Sequence, residues 1–257
     1  MYGWKGKIGL LVPAGNRVIL PEFYRVAPSG VAFFETRMIV QGSWISEESN
    51  FSMIGNARRG LEELKICNVD VSVLACTATS FLKGMDWDRA FVAEGEREMG
   101  IPVTTTTLSL IEALRSLNTG KIAIASPWAP DINNRAADYL EASGFEVVHA
   151  FSEPIDRIRV NDQAPEFAHS LAMKADAPAA EAVCIFATDL RSIEILPALE
   201  KALGKPVISS NQAILFNALR LLKNDQPITG FGRLLERPRT RMNKNTPNQQ
   251  GGKDGTG

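Results

Sequence analysis

Residues 70–80 read DVSVLACTATS, a short apolar run that ends in small, hydroxyl-bearing residues. Residues 181–188 read EAVCIFAT and follow the same order: an acidic residue, an apolar run, then a small residue and Thr. Self-similarity of this kind with only two copies predicts a pseudo-twofold pair of lobes rather than a solenoid. Two further pairs recur in the same order: KIGLLVP at 7–13 with KIAIASP at 121–127, and GIPV at 100–103 with GKPV at 204–207.

Short apolar runs rich in Val and Ile alternate with amphipathic stretches, among them a long helical pattern over 47–67. Continuous apolar strands separated by helices indicate parallel sheets that are covered on both faces. We therefore predict an α/β fold of two pseudo-symmetric lobes, each a mostly parallel sheet flanked by helices. The first lobe comprises residues 1–106 plus 211–236 and the second residues 107–210. Residues 237–257 are basic and then rich in Asn, Gln and Gly, which predicts a disordered tail.

The composition argues against several classes of protein. A formal net charge of -1 offers no basic field, so we expect neither nucleic acid nor a membrane as a partner. The apolar runs fall far short of the roughly 20 residues that cross a bilayer. Residues 1–7 lack the apolar core of a secretory signal, and we expect a cytoplasmic location. With three cysteines and two histidines, no disulfide framework, zinc site or Cys–His nucleophile pair is expected.

Small polar residues collect where the predicted strands end. In open α/β sheets, ligands bind beyond the carboxyl ends of the strands. These ends are rich in hydroxyl and amide groups and short of Lys, Arg and His, which suits small dicarboxylates or amino acids. The glycine patterns of nucleotide-binding loops are missing. The ends are PAGN at 13–16, CTATS at 76–80, TTTT at 104–107, PW at 127–128, ATD at 187–189 and SSN at 209–211.

Cys76 lies among these strand ends, which we call the rim of the predicted sheet, just before a predicted helix. It has two interpretations. A helix N-terminus and nearby hydroxyl donors favour the thiolate, which adds to an electron-poor double bond or serves as a proton donor in its thiol form. The other interpretation is a small buried residue at a strand end. Cys67 and Cys184 fit a structural role. Asn16 is either a turn residue or an amide aimed at a substrate carboxylate, and Trp128 is either a lid over the pocket or an exposed loop aromatic.

These residues resemble the maleate isomerase and arylmalonate decarboxylase branch of the aspartate/glutamate racemase superfamily, from about residue 7 to residue 235. The resemblance implies two pseudo-symmetric lobes with the active site between them, a small dicarboxylate substrate, and neither a metal nor an organic cofactor. Homo-oligomerisation is left open. The most specific matches are GLLVP at 9–13 with Asn16 and PE at 21–22, CTATSFLKG at 76–84, NNR at 133–135, DLRS at 189–192, PVISSNQA at 206–213 and GFGRL at 230–234.

The resemblance also implies a departure from the family pattern. Racemases and maleate isomerases of this superfamily carry one cysteine on each lobe, and decarboxylases keep only the second. Cys76 matches the first cysteine, but Ala187 stands at the second position. Cys184 lies three residues earlier, on the opposite face of its strand and roughly 10 Å away, so it is not a substitute. Trp128 replaces a Tyr that both groups usually have.

Three functions follow from this one-thiol pattern. The favoured one is maleate-type cis–trans isomerisation by addition of the Cys76 thiolate. The alternative is an arylmalonate-type decarboxylation in which Cys76 protonates an enediolate. The third is a catalytically inactive carboxylate-binding protein. The predicted catalytic residue is Cys76, and the predicted substrate-binding residues are Asn16, Thr77, Ala78, Trp128, Ala187, Thr188 and Asp189.

Overall fold

The computed structural model describes residues 1–40, 42 and 45–239 and contains two sheets of four strands each. The first sheet is formed by β1 (Gly6–Pro13), β2 (Val31–Met38), β3 (Val71–Leu74) and β4 (Val103–Thr105). The second is formed by β5 (Lys121–Ser126), β6 (Glu146–Ser152), β7 (Ala182–Ile185) and β8 (Val207–Ser209). The helices are α1 (Ile19–Val26), α2 (Glu47–Ile54), α3 (Ala57–Ile66), α4 (Thr77–Lys83), α5 (Met85–Met99), α6 (Thr106–Leu117), α7 (Pro130–Ala142), α8 (Arg157–Val160), α9 (Pro165–Ala175), α10 (Leu196–Leu203), α11 (Ser210–Leu221) and α12 (Arg233–Glu236).

Both sheets are parallel and have the same strand order. The first runs β2-β1-β3-β4 and the second β6-β5-β7-β8. The central strands are buried on both faces because helices cover each side, as their unbroken apolar runs require. The predicted α/β class with two lobes of matching architecture is confirmed.

The internal repeat has a structural counterpart at the strand starts. Asp70 accepts a hydrogen bond from the backbone N–H of Lys7 at 2.8 Å, and Glu181 accepts one from that of Lys121 at 3.1 Å. Each carboxylate therefore fixes the start of β1 or β5 against the neighbouring strand. The repeated acidic residue before the apolar run is a positioning device for the sheet.

The helices that follow the last strand of each sheet also correspond. The Thr105 hydroxyl accepts the Leu108 N–H and caps α6, while the Ser209 hydroxyl accepts the Gln212 N–H and caps α11, both at 3.2 Å. These two helices pack against each other, and α11 also contacts β3 of the first sheet. The chain thus returns from the second sheet to the first after β8. The division at residues 106 and 210 stays a prediction.

A buried carboxylate on α1 also joins the two halves. Glu22 accepts the backbone N–H groups of Ser192 and Ile193 at 2.7 and 3.0 Å and the amide of Asn211 at 2.6 Å. Burial raises the pKa of Glu22, although each of these three donors opposes that rise. Because the donors come from the loop after β7 and from α11, Glu22 holds the two strand-end regions in a fixed relation.

Two sequence expectations differ from the structure. The helix predicted over 47–67 is two helices, since Gly55 and Asn56 interrupt it and the Asn56 amide turns back to the carbonyls of Ser52 and Met53. The predicted tail starts too early: the Arg239 guanidinium is buried and donates to the carbonyls of Asn224, Gln226 and Leu235. The rest of that prediction, residues 240–257, lies outside the described residues. No helix in the described part of the chain is long and apolar enough to span a membrane.

Candidate active site between the two sheets

Cys76 lies at the carboxyl edge of the first sheet. The Ala75 N–H still donates to the Leu11 carbonyl at 2.9 Å, which carries the strand direction one residue beyond β3. Cys76 then takes an extended conformation (φ -141°, ψ 110°) as the N-cap of α4, and its residue is 8% exposed. Consequently the thiol sits where strand-end ligands bind in parallel sheets.

The sulfur of Cys76 has two polar neighbours. The Thr79 hydroxyl lies 3.1 Å from Sγ, and Asn50 Oδ1 lies 4.0 Å from it. The same Thr79 hydroxyl is 2.9 Å from Asn50 Oδ1, so the three groups form a triangle. Neither residue was predicted as a site residue. Thr79 lies within the strand-end segment 76–80 but was not singled out there, whereas Asn50 belongs to α2 and only folding brings it to the thiol.

Burial raises the pKa of the Cys76 thiol. The Thr79 hydroxyl and backbone N–H stabilise a thiolate and oppose the shift, but burial is the larger effect. The hydroxyl and backbone N–H of Thr79 favour the thiolate as expected, but burial, which the sequence did not reveal, outweighs them. Cys76 therefore rests as a thiol, and it must lose its proton before its sulfur can attack a substrate.

Hydrogen bonds connect the strand ends of the second sheet to those of the first. The Thr188 hydroxyl donates to the Ala75 carbonyl at 3.3 Å and accepts from the Asn16 amide at 3.0 Å. The Asn16 side-chain oxygen accepts the N–H groups of Val18 and Ile19 at 2.9 and 3.1 Å. Asn16 thus combines its two interpretations: it organises the turn before α1, and one amide hydrogen remains without a partner among the described residues.

The eight predicted site residues line one pocket between the two sheets, which encloses about 430 Å³ counting its open mouth. Thr77 contributes mainly backbone, since its hydroxyl donates to Ser210 at 3.1 Å. The roles of these residues in a reaction stay predictions. The pocket is lined by Asn16, Cys76, Thr77, Ala78, Trp128, Ala187, Thr188 and Asp189, together with Pro13, Val40, Ile45, Asn50, Met53 and Arg157.

Arg157 adds a positive charge to the pocket, whereas the sequence indicated strand ends that are short of Lys, Arg and His. It begins α8 and donates to the Gly42 carbonyl across the pocket mouth. Its positive charge opposes the upward pKa shifts of both Cys76 and Asp189. The loop after β6 supplies this side chain, and that strand end is not among the polar strand ends that the sequence indicates. Applying the strand-end rule to β6 as well would have found Arg157.

Asp189 carries a carboxyl group into the same pocket. Burial raises its pKa from 3.8 to about 6, against the opposing effects of its own backbone N–H and of Arg157. Its negative charge in turn raises the pKa of Cys76. A thiol and a carboxyl group with displaced pKa values therefore share one small cavity, an arrangement typical of acid–base sites.

Trp128 is a buried residue of the pocket lining, so the expectation of an exposed loop aromatic is wrong, whereas its role as a lid stays a prediction. It is 5% exposed, stacks on Phe186 with ring centroids 5.8 Å apart, and meets Phe81 edge-on at 6.1 Å. Cys184 is fully buried within β7 and Cys67 is exposed at the end of α3; neither lines the pocket. No group of three His, Cys, Asp or Glu side chains within the described ranges is arranged to hold a metal ion.

A larger open cleft of about 870 Å³ lies elsewhere, between α5, α6 and α11. Arginines 89, 115 and 220 line it, but it contains no cysteine or histidine among the described residues. Chemistry therefore places the candidate active site at Cys76 despite the smaller volume there.

A thiol at the carboxyl edge of one parallel sheet, facing the matching edge of a second, defines a two-lobed α/β enzyme with an interlobe cysteine site. The chain belongs to the arylmalonate decarboxylase family, whose model matches residues 8–235. It is an enzyme of the isomerase or carboxy-lyase class.

Two relatives illustrate these two activities. A maleate isomerase from Geobacillus stearothermophilus is 25% identical over 244 residues, covering 89% of this chain and 96% of the relative. An arylmalonate decarboxylase from Bordetella bronchiseptica is 26% identical over 189 residues, covering 72% and 77%.

Solved structures share the fold. A mutant of the Nocardia farcinica maleate cis-trans isomerase with a covalently bound succinylcysteine intermediate superposes with a TM-score of 0.84 at 24% identity, covering 90% of this chain and 98% of that one. A double mutant of arylmalonate decarboxylase, with one Gly changed to Cys and one Cys to Ser, superposes with a TM-score of 0.83 at 24% identity, covering 89% and 98%.

Proposed function

We propose that this enzyme interconverts the cis and trans isomers of a small unsaturated dicarboxylate, of the maleate type, through Cys76 and without a metal or organic cofactor. The observation that carries the proposal is that Cys76 and Arg157 line the same pocket. A nucleophile and a carboxylate-binding guanidinium thus face one substrate. Cytoplasmic location remains a prediction from the sequence, and homo-oligomerisation remains an open question.

The reaction begins when the Cys76 thiol gives its proton to a base in the pocket and the sulfur adds to one alkene carbon; the proton returns to the sulfur at the end of the reaction. The electron pair of the double bond moves to the neighbouring carbon and spreads into its carboxylate. The first backbone N–H groups of α4, at Thr77 and Ala78, lie at the pocket wall and are suited to stabilise that negative charge. Rotation about the resulting single bond exchanges the cis and trans arrangements, and the thiolate then leaves. The catalyst is restored unchanged.

The relatives support an addition mechanism. The succinylcysteine bound in the Nocardia farcinica mutant is the saturated product expected when a cysteine adds to a four-carbon unsaturated diacid. Four maleate isomerases are among the curated relatives, each 25 to 26% identical. Arg157 agrees with a dicarboxylate substrate, because its guanidinium can form a charge-assisted hydrogen bond with one of the two carboxylates.

Decarboxylation of an arylmalonate is the second candidate, and the single thiol in the pocket favours it. Losing carbon dioxide needs only one proton donor, and Cys76 as a thiol supplies one. The double mutant of arylmalonate decarboxylase also carries an introduced Cys and a removed Cys. The larger number of maleate isomerases among the curated relatives is what counts against this candidate.

Separate incubations with maleate and with a methyl-aryl malonate distinguish the candidates. Proton NMR follows fumarate in the first reaction, and released carbon dioxide is measured in the second. We expect fumarate from maleate and no carbon dioxide from the malonate. Carbon dioxide without fumarate would replace the isomerase by the decarboxylase. If neither product forms while dicarboxylates raise the melting temperature, the protein is a carboxylate-binding protein and the proposal is wrong.

A further inference from the structure

The second rim of the pocket has no thiol opposite Cys76. Ala187 occupies that position, directly after the extension of β7 at Phe186, whose N–H donates to the Ala125 carbonyl as Ala75 does to Leu11. Addition of sulfur to an alkene creates a carbanion, and a nearby proton donor lowers the barrier to its formation. A methyl group cannot fill that role, so the donor must come from another residue.

The described pocket lining contains three ionisable side chains: Cys76, Arg157 and Asp189. Cys76 forms the bond to carbon, and the Arg157 guanidinium does not give up a proton at ordinary pH. That leaves the carboxyl group of Asp189, which belongs to the second rim, two residues after Ala187. It therefore approaches the substrate from the lobe on which the missing thiol would lie.

Asp189 is also chemically available. No other described residue donates a hydrogen bond to its carboxylate; its own backbone N–H is the hydrogen-bonding group that acts on it. Structural buried carboxylates in this protein look different: Glu22 accepts three hydrogen bonds and Asp88 accepts bonds from Ser80, Thr105 and Tyr139. A carboxylate that faces a pocket with so few partners is poised for a ligand rather than for packing.

We infer that Asp189 is the second acid–base residue of this site and replaces the missing cysteine of the second lobe. The inference rests on the isomerase function proposed above. The Asp189 carboxylate accepts the Cys76 proton as the C–S bond forms and the alkene π bond breaks. Its O–H then protonates the neighbouring carbon. After rotation the carboxylate removes a proton from that carbon, the π bond re-forms, the C–S bond breaks, and Cys76 takes the proton back.

This scheme requires Cys76 and Asp189 to share one proton, with Arg157 as the charged group beside them. Protonating both groups removes the base, and deprotonating both removes the acid. The pKa of Asp189 is about 6 and burial raises that of Cys76, so the pair holds one proton at neutral pH. The rate must therefore rise with pH through about 6 and fall again only when the thiol loses its proton.

The test compares maleate turnover by the intact protein and by Asp189→Asn over a range of pH. We expect Asp189→Asn to lower kcat about 100-fold or more, the usual contribution of a positioned acid–base group. The contribution of Asp189 to the acid-side inflection should vanish in the variant, whereas any contribution from protonation of maleate itself is the same for both proteins, and the variant's rate should rise with thiol ionisation. Adding Ala187→Cys to the Asp189→Asn variant should raise kcat at least about 10-fold, because the second substitution returns a thiol to the second rim. Asp138→Asn, an exposed carboxylate on α7, is the matched control and should change neither quantity.

The outcomes separate this inference from the proposed function. If the intact protein forms fumarate but Asp189→Asn keeps both its rate and its inflection, the role of Asp189 is wrong and the isomerase stands. If the intact protein forms no fumarate, both proposals fail. Two further measurements keep the inference testable if a variant folds poorly. A melting temperature of Asp189→Asn equal to that of the intact protein shows that the variant is folded, and Asp189→Glu, which keeps the carboxyl group, should have a kcat at least about 10-fold above that of Asp189→Asn. Equal kcat values for the two folded variants would overturn the inference.

Discussion

Strands β3 and β7 end in matching positions of the two sheets and then diverge. Leu74 pairs with Thr105 of β4 as Ile185 pairs with Ser209 of β8. Two residues further, Cys76 remains extended and α4 begins at once, whereas Ala187 has φ 87° and the next helix, α10, begins only at Leu196. The first rim presents a buried thiol at a helix start; the second makes a turn that brings a carboxyl group to the same pocket.

The contrast shows how a duplicated scaffold supports unequal chemistry. The repeated features are those that build the sheets, such as the carboxylates of Asp70 and Glu181 and the hydroxyl caps of Thr105 and Ser209. The rim residues proposed to act on a substrate, Cys76 and Asp189, lie after the last strand hydrogen bond, where no ladder constrains the backbone. The two lobes can therefore share a fold while one supplies the nucleophile and the other the acid–base group.

Replacing the first-rim thiol should have the largest effect. Cys76→Ser is expected to lower maleate turnover by roughly 10³-fold or more, since a hydroxyl is a far weaker nucleophile than a thiol. The melting temperature should change little, because Asn50 and Thr79 offer hydrogen bonds to the new hydroxyl. Cys67→Ser, at an exposed cysteine outside the pocket, is the control. A Cys76→Ser protein with full activity would remove the basis for assigning the nucleophile to this rim.

Removing the guanidinium contributed by the second lobe should weaken substrate binding rather than the chemical step. Arg157→Met is expected to raise KM for maleate about 10–100-fold, the loss of one charge-assisted hydrogen bond, with a smaller change in kcat. Steady-state kinetics separate the two quantities. Arg159→Met changes an exposed arginine on the same short helix and should leave both unchanged. An unaltered KM in Arg157→Met would mean that the substrate carboxylate binds elsewhere.

The second-rim carboxyl group should destabilise the folded protein above its pKa. Because burial raises the pKa of Asp189 from 3.8 to about 6, the folded state binds its proton more tightly than the unfolded state. The contribution of Asp189 to the free energy of unfolding is fully present below about pH 4, and it is lost as the pH rises through about 6. Asp189→Asn should therefore be more stable by about 1–2 kcal/mol at pH 8 and equal at pH 4, the value being reduced for partial exposure.

Urea unfolding at the two pH values measures that difference. Asp138→Asn is again the matched control, since its carboxylate is exposed on α7. Equal stabilisation of Asp189→Asn at both pH values would indicate a packing effect and not the ionisation of the carboxyl group.

The smallest effect is expected from the backbone of the second rim. Ala187 is a non-glycine residue at φ 87°, a conformation that costs an L-residue about 1–2 kcal/mol. Ala187→Gly removes this strain but raises the entropy of the unfolded chain, so a net gain of about 0.5–1 kcal/mol is expected in urea unfolding. Ala75→Gly, one residue before the first-rim cysteine and without positive φ, should instead destabilise. A loss in both variants would mean that the turn at Ala187 is unstrained.

Much of the site was accessible from the sequence. The apolar runs and their repeat predicted two parallel sheets, and the strand-end rule selected Asn16, Cys76, Trp128 and Asp189 for one pocket. The missing contributors differ in origin. Asn50 belongs to a helix, and no local pattern marks it, whereas Arg157 follows the end of edge strand β6, where the strand-end rule applies. Their approach to Cys76 depends on how distant segments pack.

Fold class, duplication and the position of the thiol were determined by the sequence itself, because strand period, helix spacing and strand ends are local properties of the chain. Tertiary structure alone decided the protonation of Cys76. In the folded protein the sulfur is buried, and the effect of burial on the thiol pKa is larger than that of the Thr79 donors. It likewise decided that Trp128 is buried in the pocket lining and that Arg157 faces Asp189. These outcomes follow from desolvation and from contacts between residues far apart in sequence, which no local pattern encodes.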